Sequence, residues 1–183
     1  MLKRIMMTLA AAALAFVTLA PATAHASDWW IEYSNKSSHN CIDVKNSSTA
    51  NGAIVQEYPC KNPGTSGAAN QQWQFQGHQF VVLHSHKCLD LAGWSTADGG
   101  TAQQWSCTGA LNQSWTSVYV STNPRGTENW LIKSDLSGKC LNRANVGNAL
   151  YQTACDSSNL NQVWTSLLSD SGCTTCVAPA RRD

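Results

Sequence analysis

The sequence has few charged side chains and no excess of either sign. Lys and Arg total 12, Asp and Glu total 11, and the formal net charge of the 183 residues is +1. Proteins that bind nucleic acid or an anionic membrane through their charge carry a marked basic excess, and none is present here. Asn, Gln, Ser, Thr and Trp are abundant instead. This composition favours neutral ligands that are recognised through hydrogen bonds.

The sequence also lacks any segment with the sustained 3.6-residue apolar period of an amphipathic helix. Its apolar runs are short, rich in Val, Ile, Trp and Tyr, and interrupted by clusters of Gly, Asn and Ser. That pattern is typical of short β-strands joined by turns. An all-β fold is therefore predicted.

The one long apolar run lies at the N-terminus, where residues 5–20 follow the basic stretch MLKR. This run is shorter than the ~20 residues that a membrane-spanning helix needs, and small residues follow at Ala24 and Ala26. We interpret residues 1–26 as a secretory signal peptide cleaved after Ala26. Removal of Lys3 and Arg4 leaves 10 basic and 11 acidic residues, a net charge of −1. The mature chain is expected to be secreted, with no membrane span.

The sequence contains three copies of one unit, at about 29–77, 78–126 and 127–168. Each unit has a strand-like apolar run, then CID, CLD or CLN, then a second cysteine, and then Asn-Gln-x-Trp. Units of this size cannot bury a core alone, so they must stack in line or close into a ring. No distinct capping unit is present and closure removes exposed sheet edges, so a closed three-fold β architecture is predicted. The tryptophans that end the units are expected in the core: Trp73, Trp115 and Trp164.

All 8 cysteines follow the predicted signal peptide, and an even number in an oxidising compartment indicates disulfides. The repeats place two cysteines in each unit, 19, 19 and 15 residues apart, which favours the pairs Cys41–Cys60, Cys88–Cys107 and Cys140–Cys155. Cys173 and Cys176 remain, in a C-terminal tail of residues 169–183. A structural disulfide between these two is favoured over a redox or metal motif or an intermolecular bridge.

Three tandem copies of Cys-x-Asp, Gln-x-aromatic-x-Cys and Gln-x-Trp, the third of them incomplete, resemble the ricin B-type lectins and the carbohydrate-binding modules attached to bacterial glycosidases. The resemblance covers about residues 29–167. It implies a β-trefoil with pseudo-three-fold symmetry, in which each repeat can offer one shallow sugar pocket.

The residue types in this pattern suit a neutral sugar. A carboxylate accepts two hydroxyl protons, an Asn amide can both donate and accept, and an aromatic ring covers the C–H face of the sugar. A neighbouring Gln can hold the carboxylate in place. The resemblance assigns these roles in the first repeat to Asp43, Gln56, Tyr58, Asn70 and Gln71, and in the second to Asp90, Gln103, Trp105, Asn112 and Gln113.

The third repeat departs from the pattern. Asn142 replaces the expected Asp, Tyr151 replaces the Gln, Thr153 replaces the aromatic residue, and the loop is four residues shorter; Asn161 and Gln162 remain. A weak or inactive third pocket is predicted. The alternative is a shifted pocket that uses Tyr151 and Gln152.

Several of these residues also have structural interpretations. Asp43 and Asp90 can cap loop turns, and the three Gln of the Gln-x-Trp motifs can bond to backbone within their repeat. Trp94 either widens the aromatic wall of the second pocket or packs against a neighbouring repeat. These alternatives stay open at the level of sequence.

No signature of catalysis or of a bound metal is found. His84 and His86 have strand spacing that places them on one face, but no further ligand is evident. There is no Gly-x-Ser-x-Gly motif, and no catalytic domain remains once the three repeats are counted. We therefore expect neither enzyme activity nor a cofactor.

The predicted function is a secreted lectin for galactose- or xylose-like units of polysaccharides or glycoconjugates, with pockets in the first two repeats. The alternative is the glycan- or receptor-binding subunit of a multicomponent secreted toxin, or the targeting subunit of a separately encoded glycoside hydrolase.

Overall fold

The computed structural model describes residues 30–62, 65, 67–124 and 126–167. The predicted signal peptide and the tail with Cys173 and Cys176 lie outside these residues. Within them the structure is a sheet of 12 strands with short 3₁₀ turns and no α-helix. The 3₁₀ turns are Lys45–Ser47, Ala69–Gln71, Ala92–Trp94 and Leu111–Gln113.

Each predicted repeat contains four strands. The first contains β1 (Ile31–Asn35), β2 (Asn40–Val44), β3 (Val55–Pro59) and β4 (Gln72–Gln76). The second contains β5 (Gln79–Val82), β6 (Cys88–Leu91), β7 (Ala102–Trp105) and β8 (Trp115–Thr122). The third contains β9 (Glu128–Ser134), β10 (Cys140–Asn142), β11 (Tyr151–Thr153) and β12 (Trp164–Leu167).

Antiparallel pairing joins each repeat to the next and the last to the first. Strand β4 pairs with β5, β8 pairs with β9, and β12 returns to pair with β1 through Tyr33↔Ser166 and Asn35↔Trp164. The repeats therefore close into a ring. The predicted closed arrangement is confirmed, and the linear stack is excluded.

The three repeat tryptophans form the centre of the core. Trp73, Trp115 and Trp164 are fully buried, as predicted, and pack with Ile42, Leu89 and Leu141. Each indole Nε1 donates to the carbonyl of one of these aliphatic residues, at 3.0, 2.9 and 3.1 Å. A buried indole N–H without an acceptor costs about 1–3 kcal/mol. These bonds therefore hold the backbone at Ile42, Leu89 and Leu141 in place. The residue that follows each carbonyl is Asp43, Asp90 or Asn142.

The pairing of the second and third strands in each repeat puts the motif residues side by side. Asp43 lies opposite Gln56 and Asp90 lies opposite Gln103, while the third repeat has Asn142 opposite Tyr151. Directly opposite residues share one face of a sheet. The three predicted within-repeat disulfides, Cys41–Cys60, Cys88–Cys107 and Cys140–Cys155, are present next to these pairs.

A further repeated contact joins neighbouring repeats. The residue between the Gln and the aromatic position is fully buried in all repeats: Glu57, Gln104 and Gln152. Gln104 Nε2 donates to the carbonyls of Ser48 and Ala50 at 2.6 and 2.9 Å. Gln152 makes the same contact with the loop of the second repeat. The side chain of Glu57 has no N–H to donate, and its Oε2 accepts instead from Arg143 Nε at 2.9 Å.

Candidate functional site

The second repeat holds a carboxylate that is fixed by three side-chain amides. Gln103 Nε2 donates to Asp90 Oδ1 at 2.8 Å, and Asn112 Nδ2 and Gln113 Nε2 donate to Oδ2 at 2.8 and 3.0 Å. Asp90 is buried on β6. Its contacts among the described residues are with side-chain amides rather than loop N–H groups, so the turn-capping interpretation is wrong.

The side-chain amides of Asn112 and Gln113 come from the 3₁₀ turn Leu111–Gln113, near the C-terminal end of the repeat. Gln113 also bonds to backbone, because its Oε1 accepts from Thr108 N–H at 2.8 Å and its Nε2 donates to Ser106 O at 3.0 Å. It therefore fulfils both roles proposed from the sequence. It ties the loop after Cys107 and orients the Asp90 carboxylate.

A cleft of about 370 Å³ opens over this carboxylate. Two exposed aromatic side chains line it, Trp94 at 55% and Trp105 at 40% exposure. Trp94 follows Gly93, and both have positive φ, at 56° and 61°. That turn presents the Trp94 ring to the cleft, which supports the first of its two interpretations. The remaining lining residues include Gln103, Thr108, Asn112 and Gln113.

The first repeat reproduces the carboxylate and its amides. Gln56 Nε2 lies 2.9 Å from Asp43 Oδ1, and Asn70 Nδ2 and Gln71 Nε2 lie 2.7 and 3.0 Å from Oδ2. Tyr58, at 44% exposure, stands in the place of Trp105. The sequence-predicted residues of both repeats are thus brought together in equivalent arrangements.

Lys61 distinguishes the first site from the second, and the sequence reasoning missed it. Its Nζ donates to Asn70 Oδ1 at 2.7 Å and lies 3.6 Å from Asp43 Oδ2. The available signal was its position directly after the second cysteine, where the second repeat has Thr108. The first site therefore contains a cation beside its carboxylate.

The role expected of the asparagine needs a correction. Asn70 Nδ2 donates to Asp43 Oδ2 at 2.7 Å and to Val44 O at 2.8 Å, so both of its N–H groups are used within the protein. The expectation that this amide both donates to and accepts from a sugar is therefore wrong for the donor half. The side-chain oxygen is the atom that an Asn at this position can offer to a ligand.

The third repeat does not form the same network. Asn142 Nδ2 donates to Arg143 O at 2.7 Å, and Gln162 Nε2 donates to Ala154 O and Thr153 Oγ1. Among the described residues, no hydrogen bond links Gln162 to Asn142. Tyr151 and Asn161 do line a cleft together with Asn142.

The alternative third pocket that uses Gln152 is also wrong. Gln152 is fully buried, and its amide bonds to Ser95 O and Ala97 O at 2.8 and 3.0 Å. It therefore serves the junction between repeats and cannot face a ligand. Tyr151 alone of that proposed pair reaches the cleft.

The two histidines do not share a strand face, because β5 ends at Val82 and the chain turns there. His84 Nε2 contacts Ser48 O at 2.8 Å, and His86 has a φ of 53°. The described part of the chain contains no group of three His, Cys, Asp or Glu side chains that could hold a metal ion. Nor does any helix in that part have the length and apolarity to span a membrane.

Glu32, on β1, is a buried carboxyl whose Oε1 has no hydrogen-bond partner among the described residues. Burial raises the pKa of Glu32 from 4.5 to about 7, and the positive charge of Lys61 opposes that rise. Glu32 consequently changes its protonation near neutral pH. It lies on the strand that pairs with β12 and closes the ring.

The family model of the ricin-type β-trefoil lectin domain matches residues 29–164. The chain belongs to this lectin family. The predicted β-trefoil is therefore confirmed, and family membership indicates a carbohydrate-binding domain; no enzymatic family is indicated for this region.

Solved structures of ricin-type lectins and related trefoils have the same fold. The designed three-fold symmetric protein ThreeFoil is 29% identical, with a TM-score of 0.63 over 75% of this lectin chain and 97% of its own. The exo-β-1,3-galactanase 1,3Gal43A from Clostridium thermocellum is 24% identical, with a TM-score of 0.63 over 78% of this chain and 31% of its own. The agglutinin from Abrus precatorius is 21% identical, with a TM-score of 0.57 over 77% and 48%. The comparison with curated protein sequences returned no match.

Proposed function

We propose that this protein is a secreted lectin that binds galactose- or xylose-like units of glycans through pockets in its first two repeats. The observation that carries the proposal is the Asp90 carboxylate, held by three amides at the base of a cleft with two exposed tryptophans. A rigid acceptor and a flat apolar wall match the two faces of a neutral sugar.

In the second pocket, Asp90 and Asn112 Oδ1 accept hydrogen bonds from neighbouring sugar hydroxyls, and the Trp105 ring covers the C–H face. The amides that hold Asp90 are already placed before the sugar arrives, so binding does not require the carboxylate to be ordered. Such preorganisation reduces the cost of association. Trp94 extends the aromatic wall to a second sugar unit or to the edge of the first.

In the first pocket, Asp43 and Tyr58 take the same roles, and Lys61 adds a cationic donor. Its ammonium has three N–H groups. One of them donates to Asn70 Oδ1, and the ammonium lies 3.6 Å from Asp43 Oδ2. A sugar hydroxyl that donates to Asp43 can accept from Lys61. The two pockets therefore differ in the pattern of hydroxyls that they favour.

Two weak pockets on one rigid body can act together. A single shallow site with a Kd on the order of 1 mM corresponds to about −4 kcal/mol. When both pockets engage one polysaccharide or one glycan-coated surface, the second binding event occurs at an effective concentration of about millimolar or higher. Polyvalent glycans are therefore the expected ligands.

The same pockets also fit a targeting role. This chain matches only 31% of the galactanase chain and 48% of the agglutinin chain. The same fold therefore also occurs as one part of larger proteins. A glycan-targeting subunit of a separately encoded hydrolase, or of a multicomponent secreted toxin, is the second candidate. Co-purification of a catalytic partner with the tagged protein from culture medium distinguishes it from a lectin that acts alone.

A galactose and xylose titration of Trp105→Ala tests the leading proposal. Loss of the ring should weaken the second pocket about two- to ten-fold, if the contact between ring and sugar is similar to the ~0.5–1.5 kcal/mol that a pair of aromatic rings adds beyond its buried area. Tyr119→Ala is the matched control, because Tyr119 is an equally exposed aromatic on β8 outside the cleft. The comparison is made in a background that carries Asp43→Ala, so that the first pocket does not contribute, and equal affinities with and without Trp105→Ala for both sugars would refute a pocket at Asp90. A glycan array then identifies the preferred sugar.

A further inference from the structure

The third repeat has kept its cleft although it has lost the carboxylate. The cleft has a volume of about 370 Å³, the same as the cleft over Asp90. Its lining is almost entirely polar and includes Asn142, Arg143, Asn145, Asn148, Tyr151 and Asn161. The third cleft is therefore as large as the second and is lined with hydrogen-bonding groups.

The charge of this cleft is opposite to that of the second. Among the described residues, Asp90 lines the second cleft without a cationic side chain, whereas Arg143 lines the third without a carboxylate. A second cation lies next to it, because Lys45 Nζ donates to Gly147 O at 2.9 Å, in the loop that carries Asn145 and Asn148. Within the described part of the chain, the carboxylate in contact with Arg143 is that of Glu57, which is fully buried and does not line the cleft.

Arg143 is held in place by that contact and still has donors to offer. A guanidinium has five N–H groups, and Glu57 Oε2 accepts from the Nε group at 2.9 Å. The ion pair therefore orients the planar group, and the other four N–H groups have no hydrogen-bond acceptor among the described residues. Guanidinium groups bind planar or tetrahedral oxyanions through paired hydrogen bonds.

We propose that the third cleft binds the anionic group of an acidic sugar, with Arg143 as the principal contact and the surrounding asparagine side chains as further donors. The replacement of Asp by Asn142 is essential to this role, since a carboxylate at that position would repel the ligand. The inference goes beyond the proposed function, which assigns neutral sugars to the first two repeats. Both a uronic acid and a sulfated sugar carry the required oxyanion.

An NMR titration of the full chain carrying Asp43→Ala and Asp90→Ala isolates the third cleft. Galacturonic acid should shift the Arg143 side-chain signal and the amide signals of Asn145 and Asn148, and it should bind about ten-fold more tightly than galactose. The affinity should fall several-fold when NaCl is raised from about 20 to about 200 mM, because salt screens the contact. Equal shifts with galactose, or no shift with the acid, would overturn the proposal.

Two further ligands in the same titration identify the class of ligand that the cleft binds. Galactose 6-sulfate distinguishes a sulfate ester from a carboxylate, and tighter binding of either acidic sugar than of galactose supports the proposal. Inorganic sulfate tests the sugar requirement; if it binds as tightly as both acidic sugars, the cleft is a site for a free anion and the proposal fails.

Variants locate the contact. Arg143→Ala should abolish the binding of galacturonic acid. Since that change also leaves Glu57 buried without its partner, Asn148→Ala provides a test that does not depend on the ion pair and should weaken binding several-fold. Val146→Ala is the matched control on the same loop, because Val146 is exposed and does not line the cleft. Unchanged binding in Asn148→Ala together with a folded, fully binding Arg143→Ala would refute the assignment. The first two pockets are absent from this background, so failure here leaves the neutral-sugar proposal untouched.

Discussion

Glu57 of the first repeat accepts a hydrogen bond from Arg143 of the third repeat at 2.9 Å, and this ion pair closes the ring. At the other two junctions, Gln104 and Gln152 donate to loop carbonyls of the preceding repeat. The first repeat is preceded in the ring by the third, whose loop is four residues shorter. An arginine from that shorter loop replaces the carbonyls that the longer loops supply.

Arg143→Ala should destabilise the protein by about 2–4 kcal/mol, because it leaves the Glu57 carboxylate buried without a counter-charge. The double variant Glu57→Gln with Arg143→Ala should recover part of that loss. Urea unfolding followed by tryptophan fluorescence measures both. Lys139→Ala serves as the control, since it breaks an ion pair with the exposed carboxylate of Asp98 and should cost less than about 1 kcal/mol. A double variant less stable than Arg143→Ala would show that Glu57 carries no such penalty.

Trp115→Phe should reduce both stability and sugar binding. The change removes the indole donor to Leu89 O and leaves a buried carbonyl without its bond, at a cost of about 1–3 kcal/mol. It also releases the backbone that positions Asp90. Thermal unfolding and a galactose titration measure the two effects.

Trp164→Phe is the matched substitution in the third repeat, where the indole donates to Leu141 O. It should cost a similar amount of stability and leave neutral-sugar affinity unchanged. If both substitutions lowered galactose affinity equally, the loss would reflect general loosening of the core and not the position of Asp90.

Stability should depend on pH through Glu32. Burial raises the pKa of Glu32 in the folded state from 4.5 to about 7, so between these values the folded protein holds a proton that the unfolded chain releases. The free energy of unfolding therefore falls as the pH rises from about 4.5 to about 7, and this contribution is constant above that range. With a pKa of 4.5 in the unfolded chain and about 7 in the folded protein, the size of the fall should be about 3 kcal/mol.

Glu32→Gln removes this titration while keeping the shape of the side chain. The difference in unfolding free energy between Glu32→Gln and wild type should grow in favour of the variant between pH 5 and pH 8. Measuring the difference cancels the other titrating groups. A difference that is the same at both pH values would mean that Glu32 is solvated as in the unfolded chain.

Much of the fold was predictable because it depends on repeated local spacing. The offset from Asp43 to Gln56 recurs from Asp90 to Gln103, and in both repeats it is the offset of directly paired residues on adjacent strands. Three copies without capping units implied closure, and β1 does pair with β12. The disulfides and the core tryptophans follow the same repetition.

The features that escaped prediction depend on departures from the repeat. Lys61 and Thr108 occupy the same position, but only the longer cationic side chain reaches the asparagine oxygen. Arg143 meets Glu57 across 86 residues of sequence, and that contact exists only once the ring is closed. The acceptors of the Asn70 amide could not be predicted from the sequence either, because one of them is the Val44 carbonyl, whose position depends on the folded backbone.

The central claim is that the first two repeats bind neutral sugars through Asp43 and Asp90. The most direct test is retention of the wild type and the double variant Asp43→Ala with Asp90→Ala on immobilised galactose and on xylan, with Asp156→Ala as a control for the loss of an exposed carboxylate and with circular dichroism to establish that each protein is folded. The wild type and Asp156→Ala should be retained on at least one matrix and the folded double variant should elute with the void volume. A folded double variant retained as strongly as the wild type would contradict the account.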